Sequence, residues 1–163
     1  MKQAKTITFT AIMAALAIVL SIPPIAIPLA AGTEIHLSQL PIFLCGVLAG
    51  PTAGLMAGAI GGLYMSFAMI PFIVGGLAIL GCATGFFARR FRPFPAGVFA
   101  WCVQAPYVIV TDYVWFISFK LMPQAVAWSL ITTIMIKLTI EVVISSVLAE
   151  ILVHYIKRRG ISL

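Results

Sequence analysis

An all-α integral membrane fold is the architecture this sequence predicts, and three observations carry the prediction. Of 163 residues, 63% are apolar and only 9% charged, against about 45–50% and about 25% in soluble domains. The apolar text falls into six runs of helical length, each cut by Pro, Gly or charge. The cations gather at both chain ends and in one loop instead of covering a surface. Ten Lys plus Arg against four Asp plus Glu give a net charge of +6. In that arrangement the excess reads as membrane topology and not as a nucleic-acid face. High hydrophobicity with low charge also excludes disorder.

The first run, 5–22, follows Lys2 and Lys5. It lacks a convincing small-x-small cleavage site before Pro23 and Pro24, so it is expected to remain as a span and not to leave as a signal peptide. The stretch from Ile22 to His36 is apolar yet proline-rich, which blocks a regular helix. It is either a lid over a site or a loop lying in the interface. Run two, 37–49, is short for a span of about 20 residues, but Gly50-Pro51 turns it into run three, 52–69, so the two can cross as a hairpin. Run four is 72–88 and run five 95–119, separated by Arg89, Arg90 and Arg92. Run six, 125–156, would be roughly 48 Å long against a hydrocarbon core of roughly 30 Å, so it must tilt or protrude.

Cytoplasmic loops collect Lys and Arg. Four crossings separate the N-terminal cations from Arg89, Arg90 and Arg92, and two more separate these from Lys157, Arg158 and Arg159. Even numbers place all three clusters on one side. The expectation is therefore a single transmembrane domain over 1–163 with six transmembrane helices and cytoplasmic N and C termini. Lys120 is the exception among the loop cations.

Small residues mark close helix approach in lipid. Ala11 and Ala15 are so spaced in run one, and Gly54, Gly58 and Gly62 share a face of run three beside Ala53, Ala57 and Gly61. Packing inside the protomer explains run three best, whereas run one is open to a partner.

Charges within spans cost about 2.5–3.5 kcal/mol each at the helix centre and are by default candidates for function. Asp112, Lys137 and Glu141 qualify. Lys137 and Glu141 are four apart and share a helical face, which Thr133 and Ser145 extend. Run five carries a matching stripe of Gln104, Tyr107, Thr111, Trp115 and Ser118, with Asp112 adjacent. Two such stripes on consecutive antiparallel helices are expected to face each other and enclose a pocket open to the outside, roofed by the loop with Glu34 and His36. A buried ion pair of Lys137 with Asp112 or Glu141 that only holds the bundle is the competing reading.

Catalytic and cofactor motifs are absent. There is no HExxH, CxxC, GxSxG, P-loop or GxGxxG. The three cysteines, Cys45, Cys82 and Cys102, stand apart in apolar runs and read as core filler. No metal or cofactor is expected, and any energy source must lie in a partner.

One local pattern is more specific. Leu40-Pro41 is followed by Gly46-x-Leu-x-Gly-Pro-x-x-Gly54. With the proline-rich first loop and Ala11-xxx-Ala15, it makes the chain resemble, over nearly its whole length, the S components of energy-coupling factor (ECF) transporters. The resemblance implies a tight-binding subunit in the prokaryotic plasma membrane that captures a vitamin, a vitamin precursor or a related micronutrient from outside. A T component and two cytoplasmic ATPase subunits would supply the drive, and the S component would topple to release its cargo. It implies that Ala11 and Ala15 dock the T component, and that the pocket lies in the outer half of the membrane.

The candidate binding residues are thus Glu34, His36, Gln104, Tyr107, Asp112, Trp115, Lys137 and Glu141. The chain contains no asparagine, which removes support for biotin or thiamin, and no aromatic pattern decides for a flavin. Lys137 could hold a carboxylate or phosphate, so a small anionic or zwitterionic vitamin fits best. Two alternatives stay open: an integral-membrane enzyme acting on a lipid-like substrate through Asp112, Lys137 and Glu141, and a structural membrane subunit whose charges only pack.

Overall fold

The computed structural model describes residues 2–22, 27–28 and 34–159, without the side chains of 2, 27, 28 and 34. Helix α1 runs Lys2–Val19, α2 Gln39–Ala49, α3 Pro51–Gly61, α4 Leu63–Ala68, α5 Ile73–Phe87, α6 Pro93–Val114 and α7 Gln124–Arg158. A π-helical turn, Trp115–Phe119, continues α6. Taking α3 with α4, and α6 with its π turn, as one piece each, six helical segments stand where six apolar runs are read. The loop before α2 adds one feature that the all-α expectation lacks. Two-residue strands β1, Ile27–Pro28, and β2, Glu34–Ile35, pair antiparallel with Ile27 opposite Ile35.

The local chemistry sets the breaks. Gly50 ends α2 with its N–H donating to the Gly46 carbonyl, and it adopts φ 95°, a conformation that suits glycine. Pro51 then opens α3 at a position where its missing N–H costs nothing. At Gly62 the helix is interrupted, so run three becomes α3 and α4. Pro106 is accommodated inside α6.

Helix α2 is the centre of the bundle. Ile42, Phe43 and Cys45 on it are fully buried, and Leu80 of α5, Val142 of α7 and Ala17 of α1 pack around it. An eleven-residue helix that is apolar on all sides behaves as a core helix. The stretch Pro93–Phe119 is long and apolar enough to cross a membrane unaided, whereas Gln3–Val19, Gln39–Ala49 and Ile73–Phe87 are apolar but shorter. Helix α7 is 35 residues, hence about 52 Å.

The two small-residue faces of α3 are both internal. Gly54 and Gly58 meet the backbone of α5 at Gly81 and Leu77, while Gly61 meets Ala17, and Ala53 and Ala57 join Cys45, Phe9 and Met13. A Cβ on Gly58 would collide with the Leu77 carbonyl oxygen, and backbone cannot swing aside. Gly58→Ala is therefore expected to destabilise the fold by about 1–3 kcal/mol, read as a lower melting temperature. Met56→Ala, on the exposed side of the same helix, should leave it unchanged.

Candidate functional site

A cavity of about 770 Å³ lies among α4, α5, α6 and α7, with the start of α2 as its inner wall. That volume is in the range of small-molecule sites, about 300–1,000 Å³. Most of its lining is apolar: Met65, Met69, Phe72, Ile73, Phe116 and Leu138 among others. It extends to Lys120 and Met122, at the opposite end of α6 from Arg92.

Seven of the eight predicted site residues line this one cavity: His36, Gln104, Tyr107, Asp112, Trp115, Lys137 and Glu141. The eighth, Glu34, has its backbone in β2, and its side chain lies outside the described residues. The two polar stripes face each other across the cavity as far as Trp115 and Thr133. Beyond Trp115 the stripe departs from the sequence reading. The π turn inserts a wider step, with the Lys120 N–H donating to the Trp115 carbonyl at 3.0 Å. Phe116 and Lys120 take up the lining, and Ser118 is exposed. At the inner end Ser145 is fully buried outside the lining.

Glu141 is the most connected of these residues. Its Oε1 accepts the backbone N–H of His36 at 2.7 Å, its Oε2 accepts Nε2 of Gln39 at 3.3 Å, and Lys137 Nζ stands 3.7 Å from Oε1. One carboxylate therefore ties α7 to the segment that joins β2 to α2. Of the two pairings open to Lys137, the Glu141 one is formed. The cation expected to meet an anionic cargo thus already has a counter-charge. The Asp112 carboxyl group, 4% exposed, forms no hydrogen bond or ion pair among the described residues.

Aromatic groups make the outer wall. Trp115 meets Phe72 edge-on with centroids 6.3 Å apart and stacks on Phe119 at 5.3 Å, and Lys120 Nζ lies 5.5 Å from its ring centre. The Tyr107 hydroxyl donates to the Phe72 carbonyl at 3.2 Å. Gly75 and Gly76 on α5 leave the room that Tyr107 and Gln104 occupy.

Gln39 was not among the expected site residues. It is 1% exposed, lines the cavity, and leaves its Oε1 without a partner among the described residues, as does Gln104. A glutamine at the start of a short, wholly apolar helix is the signal that could have found it. Phe72 and Gly76 carried no such signal, because apolar and small residues fill every span.

The family model of the ECF-type riboflavin transporter S component matches residues 1–158. The chain belongs to the ECF-type riboflavin transporter S component family. No curated protein and no solved structure matches it. ECF S components are membrane subunits that bind vitamins for transport and are not enzymes, so the membrane-enzyme alternative falls. Membership of this family implies a small-molecule vitamin as substrate and T and ATPase subunits as partners. Ala11 and Ala15 are both exposed on α1, whereas Ala14 and Ala17 are buried. Ile7, Ile12 and Leu16 surround them, also exposed.

Proposed function

We propose that this S component captures riboflavin, or a vitamin of the same flat, polyhydroxylated kind, in the cavity between α4 and α7. Riboflavin has a fused ring with an N–H between two carbonyls on one edge, and a neutral tail of hydroxyl groups. The observation that carries the reading is the pair of buried Oε1 atoms, on Gln39 and Gln104, left without donors among the described residues in a mostly apolar and aromatic cavity. A buried acceptor of this kind costs about 1–3 kcal/mol until a donor arrives. A ring N–H or a hydroxyl supplies one, and Phe72 and Trp115 offer ring faces and edges beside it. The Asp112 carboxylate takes hydroxyl donors from the tail. A neutral cargo also suits Lys137, whose charge Glu141 already balances.

Six crossings with both termini in the cytoplasm put the cavity mouth, near Lys120, on the outside. Cargo then enters from outside, and a T component with two ATPases drives its release. Ala11 and Ala15, one turn apart on the open face of α1, form the T-component contact by close helix approach. His36 and Gln39 carry the inner wall.

Gln104→Leu is expected to weaken riboflavin binding about tenfold, the worth of one hydrogen bond of about 1.4 kcal/mol, as read by fluorescence titration. The reading as a whole is tested by mass spectrometry of small molecules released from the gently purified protein. Stoichiometric riboflavin supports it. A small anionic vitamin in its place would overturn the riboflavin assignment and restore Lys137 as the anion holder. A protein that arrives empty and ignores a panel of vitamins would remove the binding site from this cavity.

A further inference from the structure

A second cavity, of about 510 Å³, lies at the other end of the bundle between the start of α6 and the last turns of α7. Arg92, Pro93, Glu150, Ile151, His154 and Lys157 line it. The vitamin site uses none of them. Arg92, His154 and Lys157 are exposed, and neither Arg92 nor Lys157 forms an ion pair among the described residues. Glu150 is the acid in the cleft, and its Oε2 accepts the backbone N–H of Phe94 at 3.0 Å. Its charge is thus turned toward the first turn of α6, where a carboxylate is favoured, and the cations remain in excess.

The surroundings of the cleft are both basic and greasy. In sequence, Arg89 and Arg90 precede Arg92 of the lining, and Arg158 and Arg159 follow Lys157, with the Arg159 guanidinium 4.7 Å from the Tyr155 ring centre. Phe87, Phe91 and Phe99 cluster with centroids 5.0–6.5 Å apart, Phe91 being the chain neighbour of Arg92, and Phe86, Phe91 and Phe94 are exposed. Cations alone at this end express topology. A concave site between two helices, lined by a guanidinium and an ammonium together with Pro93, Ile151 and Val153, and with exposed Phe94 next to Pro93 in the chain, has the chemistry of an anionic phospholipid, phosphate toward the cations and acyl chains along the apolar side chains.

We propose that this cleft binds the headgroup of an anionic phospholipid of the cytoplasmic leaflet. The proposal rests on the membrane orientation given above and is independent of which vitamin fills the first cavity. Bound there, the lipid bridges the start of α6 and the end of α7.

The test is native mass spectrometry of the full chain in detergent, titrated with dioleoylphosphatidylglycerol or dioleoylphosphatidylcholine. Phosphatidylglycerol adducts are expected at about tenfold lower lipid concentration. The Arg92→Gln, Lys157→Gln double variant should bring the two lipids level, while Arg92→Lys, Lys157→Arg keeps the preference. Glu150→Gln retains an acceptor for Phe94 and removes the opposing charge, so it should raise the preference severalfold even if the double variant fails to fold. Equal binding of the two lipids, or a preference that neither the double variant nor Glu150→Gln alters, would overturn the assignment. Displacement of the lipid by millimolar inorganic phosphate would identify a free-anion site and also overturn it. Because the readout counts lipid adducts, a failed vitamin assignment leaves its result intact.

Discussion

Glu141→Ala should abolish measurable riboflavin binding and lower the melting temperature together. The carboxylate is 2% exposed and serves the His36 N–H, the Gln39 amide and the Lys137 ammonium at once. Removing one member of a buried ion pair costs about 3–5 kcal/mol, because the other charge stays behind in a poorly solvated place. Here the loss also releases the segment before α2, which forms the inner wall of the cavity. A fall in affinity of at least about 100-fold follows if about 3 kcal/mol of this is felt at the site. Glu141→Gln keeps an acceptor for the His36 N–H and should lose less of both, which separates the hydrogen bond from the charge. Titration calorimetry and thermal melting on the two variants check this. An alanine variant that binds and melts like the parent would show that the three contacts do not hold the site.

Replacing Ala11 and Ala15 together with Trp should eliminate uptake while riboflavin binding stays within about twofold of the parent. Both residues are exposed on α1, unlike buried Ala14 and Ala17, and neither lines the vitamin cavity. Bulk added there does not enter the core, but it holds any partner helix away from the close approach that small residues permit in lipid. Cellular uptake of labelled vitamin, co-purification of the T component and titration of the purified variant provide the three readouts. Loss of binding in the purified variant would place the site against α1 and overturn the division between docking face and pocket.

The sequence by itself determined a good deal of this. Apolar runs bounded by Gly50-Pro51, by Arg89 to Arg92 and by Pro123 are local signals, and each became a helix end. The stripes at Gln104, Tyr107, Thr111 and at Thr133, Lys137, Glu141 were legible because helical spacing puts residues three and four apart on one face. Isolated charges in apolar text stand out for the same reason. The leucine-proline and glycine pattern from Leu40 to Gly54 pointed to the right family, since it marks the tight turn between α2 and α3.

Only the tertiary structure decided how these pieces work together. It formed the Lys137–Glu141 pair that a spacing of four residues offers, and left Asp112 with no ion pair among the described residues, which spacing did not decide. It brought Gln39 and His36 more than a hundred residues along the chain to Glu141. It also turned the end of α6 through a π step, so that Phe116 and Lys120 replace Ser118 on the lining. It chose α5 as the helix that Gly54 and Gly58 of α3 meet, and it opened a basic cleft between Arg92 and Lys157. For the contacts between separate elements the physical reason is the same. Periodicity and turn chemistry are properties of neighbours in sequence, whereas the partner of a buried charge is settled by packing between helices that lie far apart along the chain.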